Sequence, residues 1–165
     1  MILNFILLIC SFSFMEFVAW SNHKYIMHGF LWKWHKDHHV NDAKKQALHD
    51  MKFSGFEKND YFFLMYATPA IVLIIMGLYF NFFSFIFVGA GITLYGFVYF
   101  LIHDVLIHRR LKIPFLINSK NKYFKAIIKA HLAHHRPKST NDFNNFGLLI
   151  FSSKYFAVND TQNKD

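Results

Sequence analysis

Ten of the eleven histidines in this 165-residue chain fall into four tight clusters. His23 and His28 form a His-x4-His pair, and His35, His38 and His39 form a His-x2-His-His triplet. The same two spacings return in the same order as His103 with His108 and as His131, His134 and His135. Neutral imidazole is the commonest protein ligand for transition metals near neutral pH, so the doubled pattern points to metal chemistry. Residues i, i+3 and i+4 of a helix share a face, so each triplet is expected to present three imidazoles in one direction. An i, i+5 pair lies about 140° apart on an α-helix. Such a pair is therefore expected to reach different metals or to straddle a helix end. Ten imidazoles exceed what one ion can hold, whereas two ions with about five nitrogens each fit the count. Imidazole suits zinc, copper, iron and nickel alike, so ligand type alone leaves the metal open. Structural zinc closes its shell with four ligands.

Four other polar residues stand close enough in sequence to serve these clusters. Glu16 lies inside an apolar stretch seven residues before His23, where a carboxylate is expected either to act at the site or to snorkel to the interface. Asp104 adjoins His103 and is placed to take the proton of a ligand imidazole. Asn59 and Asp60 are placed to do the same or to cap the helix that follows them. His49 belongs to no cluster and reads as a solvated side chain.

The elements that must position these groups are apolar. Residues 2–20, 61–80 and 82–102 form three long hydrophobic runs, within a composition that is 54% hydrophobic, 20% aromatic and only 17% charged. The first reaches about 28 Å as a helix, close to the thickness of bilayer hydrocarbon. Asn81 leaves room only for a tight turn between the second and third, which makes them a helical hairpin. Pro69 inside the second run is a candidate kink, of a kind membrane helices tolerate. The expected fold class is all-α: an integral membrane protein of about three spans with a histidine-rich helical cap, forming a single domain over 1–165.

Charge sets the expected orientation. The net charge is +8, yet segments 1–23 and 59–108 contain no Lys or Arg; all 18 lie in 24–58 and 109–164. Cations confined to two stretches that flank apolar spans follow the positive-inside rule and exclude nucleic-acid binding as the reason for the basic charge. The histidine clusters and the C-terminus are accordingly expected on the cytoplasmic side of a membrane, with lipid as a partner. Arg109 and Arg110 are expected to anchor the third span at the headgroups, and Trp32 and Trp34 to form an aromatic belt. The first run lacks the basic start of a cleaved signal peptide and reads as a retained anchor. Cys10 is the lone cysteine, which excludes a disulfide framework and a cysteine metal site. In the cap, residues 122–135 have helical spacing and Pro137 argues for an end by Arg136. Residues 146–156 are apolar but too short to span and are expected at the interface. Residues 159–165 are polar and expected to fray.

The segments His-Lys-Tyr-Ile-Met-His-Gly (23–29), Trp-His-Lys-Asp-His-His (34–39), His-Asp-Val-Leu-Ile-His-Arg (103–109) and Ala-His-Leu-Ala-His-His (130–135) resemble the motifs of the fatty acid hydroxylase superfamily. Within it, the chain is most similar to the compact bacterial β-carotene hydroxylases. Met15-Glu16 with Ala19, and Glu57-Lys58-Asn59-Asp60, extend the likeness over about residues 13–151. The resemblance implies a di-iron centre held by the ten clustered histidines. It also implies dioxygen as co-substrate and hydroxylation of β-carotene at C3 of its ionone rings, through β-cryptoxanthin to zeaxanthin. A bacterial inner membrane is the implied location. Breaking an unactivated C–H bond requires a redox-active metal, which zinc is not. The chain has no Gly-x-Gly-x-x-Gly and no cysteine cluster, so electrons are expected from an external donor, a ferredoxin-like or other electron-transfer protein. Catalytic groups beyond the metal centre are not marked by any motif. The competing readings are a sterol or fatty-acyl hydroxylase or desaturase, and a non-catalytic metal-binding or metal-transport protein. Transport would place ligands near the bilayer midplane along a path between both faces, and here they gather at one end of the spans.

Overall fold

The computed structural model describes residues 1–47, 56–137, 139 and 143–157. His49 and residues 159–165 lie outside the described residues. Among those described, every regular element is helical. Helix α1 covers Ile2–Ser21, α2 Trp32–Ala47, α3 Phe63–Tyr79 and α4 Phe83–Phe100. The short α5 covers Pro114–Ile117, α6 Lys122–His135 and α7 Lys154–Ala157. Three stretches are long and apolar enough to cross a membrane: Ile2–Phe30, Lys58–Tyr79 and Phe83–Ile107. Their outward faces stay exposed within the chain, as at Phe5, Ile9, Phe17, Leu64, Ile75 and Phe97. Apolar side chains without protein neighbours are what a lipid-facing surface requires, and the chain is a membrane protein.

Helix α4 lies between α1 and α3 and packs on both. Close approach is possible because α4 offers Gly91 to the backbone of α1 and Gly89 to the backbone of α3; neither position has room for a Cβ. Without a hydrophobic drive in lipid, helices associate through such small-residue contacts. The hairpin turn falls at Asn81, which adopts φ 57°. The Phe82 amide then donates back to the Gly77 carbonyl at 2.9 Å, a Schellman closure in which Asn stands where Gly is usual. Helix α3 runs unbroken through Pro69. At the far end Ser84 Oγ donates to Asn4 Oδ1 at 3.1 Å, fixing the start of α1 beside the start of α4.

Two of the spans extend beyond their apolar runs. Helix α1 continues as a π-helix over Asn22–Phe30, and α4 continues as a π-helix over Leu101–Ile107. These extensions carry His23, His28 and His103, with His108 closing the second. A 3₁₀ turn at Lys58–Phe62 starts α3 at the same end of the bundle. Asn121 caps α6 by accepting from the Tyr123 amide at 2.8 Å, and α6 ends at Arg136 ahead of Pro137, as the spacing predicts. A core of Ile102, Leu106, Ile107, Ile127 and Leu148 joins α6 to the second extension. Within the segment expected at the interface, Leu148 is buried in this core while Ile150 and Phe156 stay exposed.

Candidate metal centre

The π-helical extensions decide how the histidine pairs point. Their i→i+5 hydrogen bonds stack residue i+5 over residue i. The His108 amide donates to the His103 carbonyl at 3.0 Å, and the Leu31 amide to the Ile26 carbonyl at 3.0 Å. The members of each pair therefore share a side, against the 140° separation expected for an α-helix. His23 and His28 face one pocket, and His103 and His108 face another.

The triplets, in contrast, divide. His35 and His39 of α2 join the first pair, while His38 turns to the second. On α6, His131 joins the second pair and His134 crosses to the first. Positions i and i+4 are only about 40° apart, but i+3 lies about 60° to the other side. A helix seated between two pockets sends these positions to different ones. The result is one group of His23, His28, His35, His39 and His134, and another of His38, His103, His108 and His131, each with donor nitrogens within 4.8 Å of one another. His135 lies outside both groups by that measure. Its ring centroid stands 4.6 Å from His131, 4.9 Å from His38 and His108, and 4.2 Å from His39.

Six of the outer nitrogens face an acceptor. His23 Nδ1 donates to the Phe146 carbonyl at 2.8 Å and His134 Nδ1 to the Asn144 carbonyl at 2.6 Å. His35 Nδ1 donates to Asn59 Oδ1 at 2.7 Å. In the second pocket His38 Nδ1 donates to Glu57 at 3.1 Å and His108 Nδ1 to Asp42 at 2.9 Å. His103 Nδ1 lies 3.4 Å from Asp104, a looser contact. An imidazole whose Nδ1–H is donated outward presents a lone pair on Nε2 when neutral. Yet His23 Nε2 and His35 Nε2 stand 3.0 Å apart, as do His28 with His134 and His108 with His131. For His23 and His35, two lone pairs face one another at hydrogen-bond distance with no proton to share. A cation is what reconciles them, so the residues fit a metal.

Burial favours the same protonation state. Together with repulsion from neighbouring histidines, it holds His35 down at about 3, His39 at about 2 and His134 at about 4. His38, His108, His131 and His135 are lowered for the same reason. Neutral imidazole is the form that ligates, so a metal meets little proton competition here. The buried Nε2 of His38, Nδ1 of His39 and both ring nitrogens of His135 have no hydrogen-bond partner among the described residues.

The remaining candidates have definite positions. Glu16 is 6% exposed, so it does not snorkel, and it touches no histidine. Its Oε2 accepts from the Tyr95 hydroxyl at 2.7 Å, and its Oε1 from the Leu148 and Ile150 amides at 2.8 and 3.0 Å. It thereby ties down the loop whose Asn144 and Phe146 carbonyls orient His134 and His23. Asn59 does reach a histidine. Asp60 does not: it accepts from the Glu57 amide at 2.9 Å, closing a capping box, and pairs with Arg110 through both carboxylate oxygens. Arg110 also reaches Asp104 at 3.0 Å, so it is an internal bridge rather than a headgroup anchor. Trp32 packs against the rings of His28 and His39, at 5.0 and 5.5 Å.

Four groups that face the histidines escaped the sequence reading. Asp42 had a readable signal, standing four residues after His38 and three after His39 on the same helix. Glu57 opens the Glu57-Lys58-Asn59-Asp60 run that extends the family likeness, but no role toward a histidine is read from it. The two backbone carbonyls could not have been marked, because any residue supplies one.

A cavity of about 760 Å³ opens between the spans beside these pockets. Ala67, Ala70, Ile92 and Phe97 are among its walls, and His23 and His103, one histidine from each pocket, also line it. That size lies within the range of small-molecule sites. Gly96 also lines it, with nothing near the position a Cβ would take.

The family model for fatty acid hydroxylase matches residues 8–156. A β-carotene hydroxylase of Pseudescherichia vulneris is 36% identical over 149 residues, covering 90% of this chain and 77% of the relative. One from Pantoea ananas is 37% identical over 135 residues, covering 82% and 70%. One from a Paracoccus species is 34% identical over 147 residues, covering 88% and 83%. No solved structure matches. With the model spanning nearly the whole chain and the metal-compatible histidine pockets inside the match, this chain belongs to the fatty acid hydroxylase family and is a hydroxylase.

Proposed function

We propose that this chain hydroxylates β-carotene at C3 of its ionone rings, giving β-cryptoxanthin and then zeaxanthin. The observation that carries the reading is the cavity that runs from apolar helix walls to one histidine of each pocket. An ionone ring is carbon and hydrogen only, and such lining binds it by exclusion of water. The names of the three relatives support the same substrate. The ten clustered histidines would hold two iron ions, with His135 completing the pocket of His38, His103, His108 and His131. Iron bound there supplies the activation of dioxygen that an unactivated C–H bond demands.

The chain's own contribution is positioning and exclusion. Phe62, Tyr95 and Ala70 are buried beside the cavity and keep its wall dry. Outer acceptors hold His23, His35, His38, His108 and His134 in one tautomer with Nε2 turned inward. Electrons come from a separate ferredoxin-like or related protein. The chain forms one domain in a bacterial inner membrane, with the histidine end cytoplasmic, as the distribution of Lys and Arg supports.

Expression in a β-carotene-accumulating bacterium, with pigment analysis, tests this directly. Zeaxanthin should accumulate with the intact chain and be absent with a His134→Ala, His135→Ala variant. Untouched β-carotene, from protein that is membrane-inserted and iron-loaded, would refute the substrate and turn attention to sterols and fatty acyl chains.

A further inference from the structure

The two pockets repeat each other in ligand type and spacing but not in what stands behind them. Behind His23, His134 and His35 are two backbone carbonyls and one side-chain amide, all neutral. Behind His38, His108 and His103 are the carboxylates of Glu57, Asp42 and Asp104. Asp42 also stands 3.4 Å from His135 Nδ1. Three anions back one pocket and none of these acceptors is charged in the other. Arg110 reaches Asp104, whereas Asp42 and Glu57 are the carboxylates that take the His108 and His38 Nδ1 protons at the shorter distances of 2.9 and 3.1 Å, so these two are the ones to test.

A carboxylate that takes the N–H of a ligand imidazole makes that ligand more basic, and its charge attracts the cation across a poorly screened interior. A neutral carbonyl orients the ring but adds no net charge. We infer that the two metal positions are chemically distinct, the pocket of His38, His103, His108 and His131 binding its divalent ion more tightly than the pocket of His23, His28, His35, His39 and His134. The inference rests on the two-metal reading of the site. Ligand number works the other way, since the first group has five donors to four, but His135 stands beside the second and narrows that difference.

The test is anaerobic titration of metal-free protein in detergent with Fe(II), against a chromophoric chelator, with Mössbauer spectra at one and two equivalents. The native chain should bind in two resolved steps with two distinguishable iron environments. Asp42→Asn and Glu57→Gln keep an acceptor but remove the charge. Each should weaken the tighter step by about 10- to 100-fold, the usual cost of altering an outer partner, and leave the weaker step in place. Asn59→Asp adds a carboxylate behind His35 and should tighten the weaker step, an effect that misfolding cannot imitate. Two equivalents bound with one affinity, or Asp42→Asn acting on the weaker step, would overturn the inference while leaving carotene hydroxylation standing. A native chain that takes up no iron at all would overturn it together with the two-metal reading.

Discussion

The motif set at residues 23–39 and the set at 103–135 are built alike and seated differently. Each supplies a His-x4-His pair on a π-helical extension and an i, i+4 pair on the following long helix, and each lends its i+3 histidine to the other pocket. The second set is packed into the apolar cluster of Ile102, Leu106, Ile107 and Ile127. The first depends instead on a loop without regular structure, residues 143–150, held down by Glu16. Local spacing therefore reproduces a ligand arrangement twice, while support and charge are set separately by whatever the fold brings alongside.

The largest effects should come from the two histidines that cross between the sets. His38→Ala and His134→Ala should each reduce bound iron from two equivalents toward one. Each should also lower hydroxylation by more than the ~10- to 100-fold typical of outer partners. Metal analysis beside pigment turnover checks this. The Mössbauer component lost with His38 should be the one retained without His134. Loss of the same component from both would break the exchange between the sets.

Glu16→Ala should come next. It strips the acceptor from the Tyr95 hydroxyl and from two amides, at about 1–3 kcal/mol for each buried group left unpaired. Thermal melting in detergent should fall, and iron should be lost first from the pocket of His23 and His134, whose orienting carbonyls ride on that loop. Equal loss from both pockets would show that the loop supports the whole centre.

A smaller effect is expected from pH on the metal-free protein. His35, His39 and His134 stay neutral in the folded chain down to about 3, about 2 and about 4, whereas in the unfolded chain they take up protons below about 6.5. The unfolded state thus binds more protons in that window, so stability should be level above pH ~7 and fall as pH drops from about 6.5 toward 4. Melting temperature against pH, with and without Fe(II), measures it. Bound metal should raise stability across the range while leaving the onset of the fall at about 6.5, where the unfolded chain begins to take up protons. Stability that rises on acidification would contradict the burial of these rings.

Much of the molecule was legible before any coordinates. The three spans, the turn at Asn81, the helix 122–135 and the ten clustered histidines follow from hydropathy, turn chemistry and periodicity, all local properties. Asn59 beside His35 was also within reach, because a polar residue at the start of a span lies at the level of the motifs. The triplets, expected to present three imidazoles in one direction, divide between the pockets, and of the pairs only His103 with His108 straddles a helix end. The pairs were read on α-helical geometry, but the chain departs into π-helix where they sit, and a single extra residue per turn reverses which histidines share a side. The expectation for Arg110 failed for another reason, since its acceptors Asp60 and Asp104 come from different elements and no local pattern reports such a meeting.

The sequence alone determined the class of protein, the kind of ligand and the four histidine clusters that supply it, because these depend on composition and on spacings along the chain. Tertiary structure decided which histidines belong together and that Glu16 acts through a loop. It also decided that carboxylates stand behind His38, His103 and His108 while neutral groups stand behind His23, His35 and His134. Those outcomes depend on contacts between residues as far apart as 16 and 148, which exist only once the helices have packed.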